Sequence, residues 1–174
     1  MILGLHADAA TRTVGPGKTY AKPCAAIAAA QPGDLTEVDA AGNYAGDNCS
    51  WSTDNLTVRG VGGRAKIDAG KNEANISAGK GIFAISAPNA TVENFELVGA
   101  TAGLSANGAG IRHQGTNLTV RDCYFHDNED GILGSPAVDG TGTVLIEGTE
   151  LANNGQGDGF SHNMYLGKYA KFII

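Results

Sequence analysis

The sequence predicts an all-β solenoid, and three observations carry that prediction. One short pattern recurs as Asn55-Leu56-Thr57-Val58-Arg59-Gly60, Asn89-Ala90-Thr91-Val92-Glu93-Asn94, Asn117-Leu118-Thr119-Val120-Arg121-Asp122 and Thr143-Val144-Leu145-Ile146-Glu147-Gly148. Anchored on Val58, Val92, Val120 and Ile146, the steps are 34, 28 and 26 residues, and a further 28 reaches Ile174. Self-similarity at such a period marks a stacked-repeat architecture. Each copy also alternates with strand period: Leu56, Ala90, Leu118 and Val144 share one column and Val58, Val92, Val120 and Ile146 the next inward one. Two non-alternating residues then mark a bend, after which alternation resumes in Phe95/Leu97, Cys123/Phe125 and Thr149/Leu151. Finally, a helical repeat needs two apolar runs of period 3.6 and few glycines, whereas this chain has 26 Gly.

Composition sets the outer limits. The chain of 174 residues is 42% apolar and 17% charged, enough for one domain with a real core. Its net charge of −6 and pI of about 5.1, without a basic stripe, argue against nucleic acid as a partner. No apolar run approaches the ~20 residues that span a bilayer, so no membrane partner is expected.

Taken in order, residues 1–10 are apolar and then small, like the end of a secretory signal or a tag-like start, without the basic region of a complete signal. Residues 11–174 read as one domain. Thr11 to Tyr20 is a short strand and a Pro-Gly turn. Pro23 to Ala30 is the one clear helix, with Pro in its first turn and Gln31-Pro32-Gly33 ending it, and it reads as a cap on the open end of the solenoid. Leu35 to Asp39 is the first rung strand, with Leu35 and Val38 expected inward.

Val14-Gly15-Pro16-Gly17-Lys18-Thr19-Tyr20, Ile27 through Asp34 and Val38 through Tyr44 resemble the start of right-handed parallel β-helix proteins of the pectate-lyase-like group. The resemblance runs from Val14 through the last repeat. It implies a right-handed parallel β-helix with a short N-terminal capping α-helix. That group includes lyases, hydrolases, epimerases and non-catalytic adhesins, so architecture alone does not fix activity.

Cys24 in the cap and Cys49 before Trp51 are expected to pair and pin the cap, two unlinked thiols being the alternative. Cys123, in an inward column, is expected to be a buried thiol. Such a pair implies a secreted or periplasmic protein. The Asn-Xaa-Ser/Thr sequences at Asn48, Asn55, Asn75, Asn89 and Asn117 read as turn residues. Asn128 and Asn154, in matching places after Phe125 and Leu151, are expected to stack at a corner and bond to turn backbones.

Chemistry is expected on the outward side of Gly81–Ile85, Gly110–His113, Gly131–Leu133 and Asn163–Leu166. With Ile82, Ile111, Ile132 and Met164 inward, the outward column is Phe83, Arg112, Leu133 and Tyr165. Aromatic faces stack on sugar rings and an arginine pairs with a uronate carboxylate, so Phe83, Arg112 and Tyr165 are candidates to bind an acidic polysaccharide. Uronate β-elimination further needs a base, an acid and neutralisation of the carboxylate. Arg112, His162 and Lys168 are the candidate bases, Tyr165 the acid, and Asp130 with Asp158 candidate ligands for Ca²⁺. Pectin hydrolases of this fold carry a paired Asp-Asp. Gly157-Asp158-Gly159 lacks the second carboxylate that inverting hydrolysis uses, whereas the segment Gly157 to Tyr165 resembles the equivalent rung of other secreted β-helix proteins and, more loosely, of alginate-type lyases and epimerases.

Ala170 to Ile174 is a further strand and reads as a rung at which a longer β-helix is cut. Its apolar edge (Phe172, Ile173, Ile174) is expected to pair with a second chain in a homodimer or larger assembly. Two functions stand at this point: a carbohydrate-active or carbohydrate-binding β-helix, and a non-catalytic, self-associating β-helix fragment.

Overall fold

The computed structural model describes residues 9–103, 108–157 and 159–174. The signal-like segment 1–10 therefore lies almost wholly outside the described residues. Strand β1 (Thr11–Val14) leads to helix α1 (Pro23–Ala28), then to β2 (Leu35–Asp39) and β3 (Cys49–Trp51). Four similar turns of chain follow: β4 (Leu56–Val61), β5 (Ala65–Asp68) and β6 (Gly81–Ile85); β7 (Asn89–Glu93), β8 (Phe95–Val98) and β9 (Ala109–His113); β10 (Asn117–Arg121), β11 (Tyr124–His126) and β12 (Asp130–Gly134); β13 (Thr141–Glu147), β14 (Glu150–Ala152) and β15 (Met164–Leu166). Strand β16 (Tyr169–Ile173) opens the next turn.

Equivalent strands of successive turns pair in parallel and build three sheets. The first is β1-β2-β4-β7-β10-β13-β16, the second β5-β8-β11-β14 and the third β3-β6-β9-β12-β15. The recurring pattern is the register itself: Val58, Val92, Val120 and Ile146 stand level on neighbouring strands, as do Leu56, Ala90, Leu118 and Val144. Every one of these eight side chains is buried. The bend after each copy is a corner with one left-handed residue, Asn94 (φ 58°), Asp122 (φ 54°) and Gly148 (φ 56°). Asn, Asp and Gly tolerate that conformation, which is why they occupy the corner. The first turn has a longer corner through Gly62 and Gly63, which accounts for part of its 34-residue step.

Inside the coil, inward residues of all three sheets form one core. Trp51, Phe83 and Phe95 pack edge to face along it, with centroids 5.3 and 5.4 Å apart. Helix α1 has Pro at its start, buries Pro23, Ala26 and Ile27, and covers the β1–β2–β3 end. A disulfide joins Cys24 of this cap to Cys49 of β3, and Cys123 is a buried free thiol. Asp34, 3% exposed, accepts hydrogen bonds from the backbone of Ala10 and Gln31 and pairs with Arg12, which ties β1 to the cap's exit.

Leu35 departs from its expected inward place. It stands level with Thr57, half exposed, while Thr36 and Val38 are buried. Residues 35 and 38 are an odd number apart, so a regular strand cannot point both inward, and Val38 takes the core position.

On the outer face of the first sheet, Arg59, Glu93, Arg121 and Glu147 alternate in charge along one column. Arg59 bonds Glu93 at 2.7 Å, and Arg121 bonds Glu93 and Glu147 at 3.3 and 2.7 Å. Exposed pairs of this kind contribute little each. Their alternating sign nonetheless penalises any one-rung slip, which would set like charges side by side.

Candidate functional site

The third sheet carries the site. Its inward columns are Cys49–Phe83–Ile111–Ile132–Met164 and Trp51–Ile85–His113–Gly134–Leu166. Between them runs the outward column Ser50–Ala84–Arg112–Leu133–Tyr165. Arg112, Leu133 and Tyr165 therefore stand in one row as expected, one sheet spacing of about 4.8 Å apart.

Phe83 does not join them. It is 0% exposed, and Ala84 takes its place in the row. The expected register set Gly81 level with Gly110, but Gly81 stands level with Ala109 and Phe83 with Ile111. Burial of the phenyl ring between Trp51 and Phe95 decides the register, since an aromatic side chain yields far more by burial than Ala84. Phe83 is a core residue and no part of a substrate surface.

Arg112 stands out by its charge environment. Arg12, Arg59, Arg64 and Arg121 each pair with a carboxylate. Among the described residues Arg112 has no such partner, and its Nε is buried without a hydrogen-bond acceptor. Two strands away, Tyr165 is 57% exposed. Its ring lies nearly parallel to that of His162, with centroids 5.5 Å apart and planes 19° from each other. The exposed ring of Phe160 belongs to the same loop.

His162 is fixed at both ends of its peptide unit. Its N–H donates to the Asp130 carboxylate at 2.8 Å, and its carbonyl accepts from the Gly131 N–H at 3.0 Å. Asp130 is 0% exposed. One oxygen of this candidate metal ligand thus holds the loop. Asp158, its expected co-ligand, lies outside the described residues, and the described residues gather no group of three His, Cys, Asp or Glu suited to a metal ion.

Lys168 sits at the far corner of the rung, with φ 66°, bound to Asp139 at 2.8 Å. That hydrogen bond raises the lysine's pKa. No carboxylate occupies the described outward row, so the paired acids of glycoside hydrolysis are not assembled there.

The Asn128–Asn154 stack is present as expected. Asn128 Nδ2 donates to Leu97 O at 3.1 Å and Asn154 Oδ1 at 3.0 Å, and its Oδ1 accepts from Ala100 N at 2.8 Å. Asn163 Oδ1 completes the stack by accepting from Asn154 Nδ2 at 2.9 Å. A second stack, Asp54–Asn89–Asn117, links the opposite corner through bonds of 2.8 and 2.7 Å.

Three features carried no sequence signal. Glu129, 2% exposed, accepts from Thr101 Oγ1, Ala102 N and Gly108 N at 2.6, 2.9 and 2.8 Å, and helps line a polar cleft of about 270 Å³ with Lys71 and Asp127. His126 lies between Glu96 and Asp127, 3.3 and 2.6 Å from their carboxylates. His113 meets Tyr169 inside the coil.

The profile of the family described as "right handed beta helix region" matches residues 42–166. This chain belongs to the right-handed β-helix family. The match covers every β-helix turn from β4 to β15, hence the whole candidate face. No curated protein and no solved structure matches the chain. The β-helix family includes carbohydrate-active proteins, and the Cys24–Cys49 disulfide fits an oxidising compartment. No described helix is long and apolar enough to cross a membrane.

Proposed function

We propose that this β-helix binds an acidic polysaccharide along the outer face of its third sheet, outside the cell or in a periplasm. One observation carries the reading: Arg112 is the arginine without a carboxylate among the described residues, and it shares its row with exposed Tyr165. A guanidinium held in a sheet, with its Nε already dehydrated, is prepared to take up a carboxylate from outside. Apolar Leu133 and the exposed ring of Tyr165, backed by His162, then offer apolar contact to the neighbouring units of the chain. Binding is the activity we assign to this face; Lys168 pairs with Asp139, and one Asp130 oxygen holds the His162 N–H.

The test is titration of the protein with polygalacturonate and with alginate at low and moderate salt. Binding is expected with at least one, weakening as salt rises. A charge-assisted hydrogen bond contributes about 1.5–3 kcal/mol, so Arg112→Ala should weaken binding roughly 10- to 100-fold. Arg112→Lys should recover only part, because an ammonium cannot bond a carboxylate in two places at once. Equal affinity of Arg112→Ala and wild type would overturn the assignment. Appearance of unsaturated uronate products would replace binding by β-elimination, with Arg112 and His162 as the candidate bases on this face.

A further inference from the structure

We infer that Asp130 is the positioning residue of the saccharide face: through its bond to the His162 N–H it holds the His162 ring stacked against Tyr165, so that the Tyr165 ring is fixed in place at the surface. This rests on the saccharide-binding reading above. Residue 130 begins β12, and its side chain is 0% exposed, a costly place for a carboxylate unless its oxygens are used. One of them accepts the His162 N–H at 2.8 Å. The next residues extend the same attachment, with Gly131 N donating to His162 O at 3.0 Å and Ile132 N to Asn163 O at 3.1 Å. The loop that carries His162 has left-handed glycines at Gly155, Gly157 and Gly159, so its own backbone gives little stiffness. Among the bonds that place it are the attachment at Asp130 and that of Asn163, whose side chain ends the asparagine stack. The consequence reaches the surface at the ring pair, 5.5 Å between centroids. The Tyr165 ring so supported lies two strands from Arg112, a distance of about 9–10 Å along the coil. The geometry thus favours a polymer that runs along the coil axis, one carboxylate at Arg112 and a ring face on Tyr165.

Binding of polygalacturonate and alginate to Asp130→Ala, Asp130→Asn, Tyr165→Ala and the double variant Asp130→Ala/Tyr165→Ala tests this. Loss of one aromatic contact corresponds to roughly a 3- to 10-fold rise in Kd, which is the effect expected of Asp130→Ala. Asp130→Asn keeps an oxygen that accepts the same N–H and should bind within about twofold of wild type. In the Tyr165→Ala background Asp130→Ala should add nothing, since the ring it holds in place is already lost. Wild-type affinity in Asp130→Ala, or a full additive loss in the double variant, would overturn the inference. If Asp130→Ala does not fold, His162→Gly keeps the backbone bond and deletes the ring; it should show the same 3- to 10-fold loss, and unchanged affinity would again overturn the assignment. If wild type binds neither polymer, the saccharide reading fails, while the hold of Asp130 on the loop is still read from hydrogen exchange: the His162 amide should be protected in wild type and Asp130→Asn and exposed in Asp130→Ala.

Discussion

The His113 Nδ1 lies 2.6 Å from the Tyr169 hydroxyl, joining the end of β9 to the start of β16 across two turns of the coil. The rings are nearly parallel, 17° apart. The contact depends on Gly134, which stands level with His113 in the intervening strand: a side chain there would begin 3.1 Å from the Tyr169 hydroxyl and 2.9 Å from Leu166. Both residues are buried, and His113 Nε2 has no hydrogen-bond partner among the described residues.

That pair makes stability pH-dependent. Desolvation pushes the His113 pKa down from 6.5 to about 4. Between those values the unfolded chain takes up a proton that the folded one refuses, so stability is present above pH 6.5 and falls as pH falls toward 4. At about 1.4 kcal/mol per unit the loss is on the order of 3 kcal/mol. Urea denaturation from pH 7.5 to 4.5 should therefore show a flatter profile for His113→Gln than for wild type. Parallel profiles would mean that other groups set the acid limit.

The asparagine stack should be costly to break. Asn128→Ala leaves Ala100 N–H and Leu97 C=O without their bonds inside the coil. Each unsatisfied group costs about 1–3 kcal/mol, so a total loss of about 2–6 kcal/mol is expected. For a domain of this size that lowers Tm by roughly 4–24 °C, measurable by thermal denaturation.

The disulfide closes a 25-residue separation and should contribute about 3.5 kcal/mol by restricting the unfolded chain. Replacing Cys24 and Cys49 together by Ser should lower Tm by roughly 7–14 °C. Thiol titration gives an independent check. Cys123 is buried with its pKa pushed up to about 12 by desolvation, so the native protein should show no reactive thiol and the unreduced, denatured protein one. Three reactive thiols after denaturation would contradict the pairing.

Phe172, Ile173 and Ile174 are exposed on or beside β16, by 44, 40 and 79%. Self-association of this 174-residue chain through these residues is proposed. Light scattering over a concentration series should find an assembly in wild type and a monomer in the chain carrying Phe172→Lys and Ile174→Lys. A monomer in both would remove the proposal.

Much of the fold was legible in the residues because a solenoid repeats its core. Val58, Val92, Val120 and Ile146 betray their column by period alone, and Asn94, Asp122 and Gly148 betray the corner by the backbone they tolerate. The asparagine stack and the cap disulfide followed from position in that repeat. What the sequence did not carry was register in the third sheet, where strands are short and glycines stand at two adjacent positions. There the packing of Phe83 between Trp51 and Phe95 decided that Ala84, and not Phe83, joins the row of Arg112 and Tyr165. Residues far apart in the chain but level in the coil could be related only by the tertiary structure. Asp130 is an acidic residue before a glycine until His162, 32 residues later, is brought onto its carboxylate. His113 is a strand histidine until Tyr169, 56 residues on, fills the space above Gly134. Period is a property of one chain segment read along its length, whereas burial and hydrogen bonding depend on which turns the coil stacks, and that is settled only when all the inward side chains are packed together.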